Sequence, residues 1–361
     1  MEFLADYGLF FAKTLTIVVA VAAIIVLIVS AGGRGKRADK GHIEVTHLNE
    51  KFEDMRETLR EAVLDPEALK QHEKAEKKRL KDERTQQKKL ARQKTPGAAA
   101  GDDSKPADDR KKRVFVLDFV GDIKASACDS LREEINAVLT LATPADEVVV
   151  KIESGGGMVH SYGLASSQLA RFGEHKIPLT VCVDKVAASG GYMMACVADR
   201  ILAAPFAVLG SIGVVAQLPN FNKLLKKNDI DYEMFTAGEY KRTVTMLGEN
   251  THKAREKFRE DLEGIHVLFK EFVAEHRPSV DIEKIATGEV WFGRRALAVA
   301  LIDEIKTSDE YLLALSESAD IYEIEFAVKK SLQEKLGIAA QGAVDRLLMT
   351  WWERLNIQRW F

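Results

Sequence analysis

Hydrophobic and polar positions follow two different patterns along this chain. Near the N-terminus, residues 14–31 form an uncharged apolar run, and residues 43–95 are then rich in charges of both signs. Beyond residue 113, short apolar runs typical of strands alternate with amphipathic stretches typical of helices. Strands are predicted at residues 114–120, 147–152, 179–183, 200–203 and 212–215, and helices at residues 127–141, at residues 158–172 and from Gly191 onward. This alternation favours parallel strands joined by crossover helices.

The apolar run at residues 14–31 is long enough to cross a bilayer of about 30 Å as a helix. A cleaved signal peptide is the alternative, because residues 29–31 resemble a cleavage site. The run is too long for a typical signal-peptide core, and Glu2 and Asp6 stand where a basic cluster would be expected. The pattern therefore predicts that residues 1–40 form an uncleaved anchor in a lipid bilayer, with a basic flank.

Composition divides the rest of the chain into three parts. Residues 41–112 are predicted to be a charged helical segment that ends in a flexible linker at residues 95–109. A solvated helix is preferred here over a lipid- or partner-binding surface, because mixed-sign charge is common on exposed helices. Residues 113–330 carry the alternating pattern of one domain. Residues 331–361 predict an amphipathic helix that docks on the domain or a neighbouring subunit, with a membrane-surface helix as the alternative.

Composition also limits the classes of function. The net charge of the 361 residues is −3, which gives no indication of nucleic-acid binding. Cys128, Cys182 and Cys196 form no CxxC pair and are predicted to be buried free thiols. The chain has no GxxxxGK[ST] or GxGxxG motif and no cluster with metal-ligand spacing. We therefore expect no metal, no cofactor and no nucleic-acid partner.

Ser189 is the candidate nucleophile, within the sequence Val-Ala-Ala-Ser-Gly-Gly-Tyr at residues 186–192. Its small neighbours allow a tight turn or helix start with an accessible hydroxyl. A neutral lysine could take the hydroxyl proton without a histidine. The triple glycine at residues 155–157 follows a predicted strand and could direct N–H groups at a developing oxyanion. The alternative is that the serine only caps the next helix.

Four motifs occur in a fixed order within residues 113–310: Ser-Gly-Gly-Gly, Ala-Ser-Gly-Gly-Tyr, Gly-Ser-Ile-Gly-Val and Gly-Glu-Tyr-Lys. Their order resembles the signal peptide peptidase A family, in particular its members with one catalytic repeat behind a single anchor. The family usually has proline where Gly155 stands, so this loop has less intrinsic rigidity. The resemblance implies an α/β fold: a ClpP/crotonase-like spiral of ββα units, preceded by a single transmembrane helix and the charged helical and linker segment.

The resemblance also implies roles for individual residues. Ser189 would be the nucleophile, Lys241 the general base, and Ser211 a hydroxyl that contacts the lysine amine. Main-chain N–H groups of Gly156 and Gly190 would form the oxyanion hole. An ordinary lysine has a pKa of about 10.4, so Lys241 must be desolvated or lie near positive charge to act as a base. A surface lysine and a turn serine are the alternatives for positions 241 and 211.

Histidines offer a weaker case for catalysis. His160 follows the triple glycine and could form a Ser–His pair, but no aspartate stands in a recognised arrangement with both residues. His252, His266 and His276 fall in a charged helical stretch and are predicted to lie on the surface.

Together these features predict a membrane-anchored serine endopeptidase that cleaves extended peptides, such as signal-peptide remnants or membrane-protein fragments. The resemblance further implies a homo-oligomer in a bacterial inner membrane. Basic residues after the apolar run favour a cytoplasmic catalytic domain, whereas the known relatives work on the periplasmic side. An inactive membrane scaffold is the main alternative. An acyl-CoA hydratase-like enzyme would need acidic residues beside the glycine loop and a CoA pocket, and neither is evident in the sequence.

Overall fold

The computed structural model describes residues 41–65 and 111–328, together with a few isolated positions between residues 13 and 85. Within this part of the chain, no helix is both long and apolar enough to cross a membrane. The predicted anchor at residues 14–31, apart from Thr16, lies outside the described residues. The predicted linker and the predicted C-terminal helix also lie outside them.

Strands and helices alternate along the described residues, as the sequence pattern predicts. The strands are β1 (His42–His47), β2 (Lys112–Gly121), β3 (Glu147–Ser154), β4 (Leu179–Val183), β5 (Val186–Ala188), β6 (Arg200–Ala203), β7 (Val208–Gly210), β8 (Val290–Phe292), β9 (Glu304–Ile305) and β10 (Ala319–Ala327). The helices are α1 (Leu48–Val63), α2 (Cys128–Leu139), α3 (Val159–Glu174), α4 (Gly190–Ala195), α5 (Asn222–Lys227), α6 (His252–His276), α7 (Ile282–Ile285), α8 (Gly293–Ala298) and α9 (Ser308–Leu315).

The sheet is mostly parallel and it branches at β3. Its main order is β1-β10-β2-β3-β4-β6-β9, and the pairs from β10 to β9 along this order are parallel. At the end of β3, Ser154 pairs with Gly121 of β2 on one side and with Ala187 of β5 on the other. Strand β5 continues into a short branch with β7 and β8. The last residue of β3 therefore stands where the two branches meet.

Both faces of the central strands are buried, which explains their nearly continuous apolar sequences. Helices α2, α3 and α4 cover one face, where Ile135, Leu169 and Met194 belong to the larger hydrophobic core. Residues of α1 and α9 belong to a second core cluster with Val149 and Leu202. Residues 43–325 form one compact unit, so β1 and α1 belong with this sheet although the sequence assigns them to a separate charged segment.

Most of the predicted strands and helices are confirmed, but the strand predicted at residues 212–215 is wrong. The strand in this region is β7, which ends at Gly210. Gly210 and Ser211 have φ angles of 84° and 51°, and two successive left-handed residues break an extended strand. The cysteines are buried free thiols, as predicted.

Candidate active site

Ser189 occupies a strained turn between β5 and α4. Its backbone has φ 52° and ψ −119°, a conformation that residues with a Cβ rarely adopt. Two hydrogen bonds hold the turn: the Ser189 N–H donates to the Gly210 carbonyl at 2.8 Å, and the Met193 N–H donates to the Ser189 carbonyl at 2.9 Å. Strain of this kind persists where the surrounding structure fixes it, and it is concentrated at functional sites.

The hydroxyl of Ser189 is not used for helix capping. The residue is the N-cap of α4, but its side chain makes no capping hydrogen bond. Ser189 is half-buried and lines two cavities. The turn therefore presents the hydroxyl to a space that a substrate can enter, which favours the nucleophile over the capping alternative.

The glycine loop lies directly against this turn. Gly156 has φ 86°, and a Cβ added there would lie 2.6 Å from the Gly190 nitrogen and 2.7 Å from the Ser189 Cβ. Only glycine permits this approach. The main-chain N–H of Gly190, in the first turn of α4, is one of the helix's unpaired donors. The loop and this N–H therefore lie next to each other and next to Ser189, and an oxyanion hole requires such proximity.

Three consecutive hydrogen bonds connect the glycine loop to α3 and to the Asp122 carbonyl. The Gly156 N–H donates to Ser154 Oγ at 3.1 Å, and Ser154 Oγ lies 2.6 Å from Tyr162 Oη. The Tyr162 hydroxyl donates to the Asp122 carbonyl at 2.7 Å, so Ser154 must be the donor to Tyr162. Burial raises the pKa of Tyr162 above its usual value, which keeps this donor protonated. The role of Gly156 as an oxyanion donor thus remains a prediction, because its N–H is bonded to Ser154 in this structure.

The two cavities beside Ser189 differ in chemical character. The smaller one, of about 390 Å³, has mainly apolar walls from α3, α4 and α6: Val159, Gly163, Met193, Ile265, Leu268, Phe269 and Phe272. The larger one, of about 610 Å³, is bounded by the glycine loop and by Ser211, Gly213, Val215, His266 and Thr287. An apolar pocket next to a reactive hydroxyl is suited to holding an apolar side chain of a substrate.

Ser211 is brought into the same cavity as Ser189. It follows the left-handed Gly210, and its N–H donates to the Glu289 carbonyl at 2.7 Å. The half-buried side chain lines the larger cavity together with the glycine loop. The structure therefore groups four of the five predicted site residues: Ser189, Gly190, Gly156 and Ser211.

Lys241 is not among them. It lies in a segment of residues 214–250, here termed the arm, in which no residue is buried. Its N–H donates to the Gly238 carbonyl at 3.2 Å, and no lysine lines either cavity at Ser189 in the described part of the chain. The arm has defined contacts of its own, because the Phe221 N–H donates to the Met246 carbonyl at 2.7 Å and Asn220 Nδ2 reaches the Thr245 and Gly248 carbonyls at 3.0 Å. Within one chain, the arm thus carries the predicted base outside the cavities.

His266 is a site residue that the sequence prediction missed. The prediction of a surface position is wrong for this histidine, because α6 packs over the site and His266 lines the larger cavity with Ser189. Its Nε2 atom is buried and has no hydrogen-bond partner in the part of the chain that the structure describes, and its Nδ1 atom lies 3.9 Å from Glu263 Oε1. His252 is exposed as predicted, whereas His276 is half-buried and contacts the Phe272 carbonyl at 2.9 Å. Nothing in the local sequence distinguishes the three histidines.

Among the residues described, no group of three or more His, Cys, Asp or Glu side chains is placed to hold a metal ion. The polar groups that converge on Ser189 are hydroxyls, amides and one imidazole. What this arrangement can do chemically is attack a carbonyl with a serine and stabilise the resulting oxyanion with the main-chain N–H of Gly190.

Comparisons with known proteins extend this chemistry to a family. The profiles of Peptidase family S49 N-terminal and Peptidase family S49 match residues 2–169 and 171–322. Probable protease SohB of Haemophilus influenzae is 49% identical over 348 residues, which is 96% of each chain. Probable protease SohB of Buchnera aphidicola subsp. Schlechtendalia chinensis is 46% identical over 87% of this chain and 100% of that one. Among solved structures, a mutant of the 1510-N membrane-bound stomatin-specific protease in complex with a substrate peptide covers 63% of this chain and 96% of that chain, with 13% identity and a TM-score of 0.38.

The matched families and the relatives named as proteases define a serine peptidase, and the geometry at Ser189 agrees with this class. The chain belongs to peptidase family S49 and to its SohB-type branch. The resemblance carried by the four motifs is thereby confirmed. The mixed, mostly parallel sheet with its flanking helices agrees with the predicted α/β class, while the ClpP/crotonase-like spiral and the transmembrane helix remain predictions.

Proposed function

We propose that this protein is an endopeptidase in which Ser189 attacks a peptide carbonyl and neutral Lys241 accepts the hydroxyl proton. The protonated Lys241 gives this proton to the leaving amine as the C–N bond breaks and the acyl-enzyme forms. The neutral lysine then takes a proton from the water that hydrolyses the ester, and that proton returns to Ser189. The observation that carries this proposal is the strained turn at Ser189, which holds the serine hydroxyl beside Gly156 and Gly190 without using it to cap the helix. Ser211, in the same cavity, orients the lysine amine.

The base is supplied by a second copy of the chain in this proposal. One chain leaves Lys241 on the exposed arm, and none of the lysines among the described residues lines either cavity at Ser189. The arm also exposes large apolar side chains, including Phe235 at 90% and Val215 at 80% of their full accessibility. Exposed apolar patches mark protein–protein interfaces. Docking of the arm on a neighbouring chain would bury these side chains and would remove water from the Lys241 amine, which disfavours its charged form.

The apolar cavity at Ser189 supports a preference for substrates with a large apolar side chain before the scissile bond. Signal-peptide remnants and fragments of membrane proteins have this chemistry and are extended enough to pair with a strand edge. We place the enzyme in a bacterial inner membrane through residues 14–31, as a single-pass protein and a homo-oligomer. Flanking charges put the catalytic domain on the cytoplasmic side.

Coexpression of two inactive variants tests both the Ser189–Lys241 dyad and whether its two residues come from different chains. Full-length Ser189→Ala and Lys241→Ala chains, purified in mild detergent, are assayed alone and after coexpression, with internally quenched peptides that carry leucine before the scissile bond. We expect no turnover by either variant alone and restored turnover by the coexpressed pair, because some sites then combine an intact serine with an intact lysine. Lys226→Ala, a change on the same arm at a lysine that pairs with Glu249 at 2.6 Å, is the matched control and should retain activity.

Each other outcome has a definite meaning. Full activity of Ser189→Ala or Lys241→Ala alone contradicts the dyad. Failure of the coexpressed pair, with both single variants inactive, places both groups in one chain and contradicts the shared site. A wild-type chain that cleaves none of the peptides supports the inactive scaffold, which the separation of Lys241 from the cavities in one chain also favours.

A further inference from the structure

We propose that Tyr162 is a positioning residue for the oxyanion hole, an inference that rests on the proposed function. Its hydroxyl, acting through Ser154, holds the glycine loop beside Ser189, and its ring packs under Gly190. Tyr162 lies on α3 and does not line either cavity at Ser189, so it acts without touching the substrate.

The hydroxyl contacts fix the loop at the branch of the sheet. Ser154 is the residue of β3 that pairs with both β2 and β5, and it is 2% exposed. Its Oγ accepts the Gly156 N–H and donates to Tyr162, whose own proton goes to the Asp122 carbonyl. Each donor in this series has one acceptor, so the position of each hydroxyl proton is fixed. Loss of the Tyr162 oxygen would leave the Ser154 proton without its partner and free Ser154 Oγ to rotate away from Gly156.

The ring contact ties the same side chain to the second predicted oxyanion donor. A Cβ added at Gly190 would lie 2.4 Å from the Tyr162 ring, so the ring is in direct contact with the first turn of α4. Tyr162 is fully buried, and its ring packs edge-on against Phe119 at a centroid distance of 6.3 Å. One rigid side chain therefore contacts Gly190 directly and Gly156 through Ser154. The position of the glycine loop relative to the Gly190 N–H depends on it.

The Tyr162→Phe variant keeps the ring and removes only the hydroxyl. We expect kcat to fall about tenfold while KM changes less than about twofold, because a small displacement of oxyanion donors affects the transition state more than the bound substrate. Ser154→Ala should lower kcat to a similar extent. The double variant should lose no more than the larger single loss, because both changes interrupt one series of hydrogen bonds.

Tyr192→Phe is the matched control. Tyr192 is also fully buried, and its hydroxyl donates to the Leu301 carbonyl at 2.9 Å, away from the glycine loop. The same chemical change there should lower the denaturation midpoint and leave kcat of the folded enzyme unchanged. Unchanged kcat in Tyr162→Phe, losses that multiply in the double variant, or an equal loss in Tyr192→Phe would overturn the inference. If Ser189→Ala remains active the proposed function itself fails, whereas an inactive Ser189→Ala with a fully active Tyr162→Phe refutes only the role of Tyr162.

Discussion

Gly156 lies so close to Ser189 that a methyl group at position 156 would stand 2.7 Å from the Ser189 Cβ. Gly156→Ala must therefore displace the loop or the nucleophile, and it also places a side chain on a backbone with φ 86°. We expect the free energy of unfolding to fall by at least ~1–3 kcal/mol and peptide turnover to fall by a factor of 100 or so. Denaturant unfolding and steady-state kinetics measure the two effects.

Gly173→Ala is the control for this substitution. Gly173 is an exposed glycine near the end of α3, and an added Cβ meets nothing within 4 Å. Alanine there should raise the free energy of unfolding by roughly 0.5–1 kcal/mol and leave turnover unchanged. Turnover at the wild-type rate in Gly156→Ala would show that the loop does not need its close approach to Ser189.

Ser189 should be less stable in its native turn than glycine would be. The backbone angles of 52° and −119° suit glycine and strain every residue with a Cβ. Ser189→Gly and Ser189→Ala both remove the nucleophile, so both should be inactive. Ser189→Gly should be more stable than wild type by ~1–3 kcal/mol, whereas Ser189→Ala retains the strain. Thermal unfolding of the three proteins tests this, and equal stability of Ser189→Gly and Ser189→Ala would disprove stored strain.

His266 is predicted to serve substrate binding at a cost in stability. Its buried Nε2 has no hydrogen-bond partner among residues 41–65 and 111–328, which costs about 1–3 kcal/mol, and a peptide in the cavity would supply one. His266→Leu should therefore match or exceed the wild-type free energy of unfolding while kcat/KM falls up to about tenfold. His252→Leu, on the same helix but exposed, should change neither quantity. A stable His266→Leu with unaltered kcat/KM would reduce the histidine to a space-filling role.

Asp146 should make stability depend on acid pH. Burial alone would raise its pKa, but hydrogen bonds from Arg113 and Thr143 outweigh that effect and lower the pKa to about 2. Because the unfolded pKa is about 3.9, the stabilisation is complete above that pH and is lost as the pH falls toward 2. We expect a loss of about 2 kcal/mol over this window in wild type and a flatter profile in Asp146→Asn. Urea unfolding across pH 6 to 2.5 measures the slopes.

Asp129→Asn provides the comparison, since Asp129 is 86% exposed and pairs only loosely with Arg132 at 3.6 Å. Its profile should follow wild type, because exposed ion pairs contribute little. Identical acid slopes in Asp146→Asn and wild type would show that other carboxylates govern the response.

Local sequence was sufficient to predict the turn at Ser189 but not its surroundings. A buried strand followed by Ser-Gly-Gly predicts the turn at Ser189, and the end of β3 predicts the glycine loop. Strand β1 escaped prediction because most of its residues are exposed, which leaves no apolar alternation to detect. The run at residues 212–215 has strand-like composition, but two left-handed residues before it redirect the chain. The turn therefore prevents a strand at residues whose composition favours one.

Contacts between distant segments explain the other gaps. Ser154 and Tyr162 are eight positions apart on different elements, and only the packing of α3 on β3 brings their hydroxyls together. His266 reaches the cavity because α6 folds back over α4. Its charged neighbours in the sequence instead suggest a position on the surface. The position of Lys241 outside the cavities could not follow from spacing alone, because the number of residues between two motifs does not fix where an exposed segment lies.

The arm has a consequence for the timing of activity. In the proposed arrangement, a newly made chain has the serine hydroxyl but no lysine amine to activate it. It cannot cleave peptides until another subunit supplies that amine. Dilution would switch the enzyme off without any inhibitor or propeptide. Cleavage would thus be confined to places where enough subunits have gathered, which protects the cell during synthesis and transport.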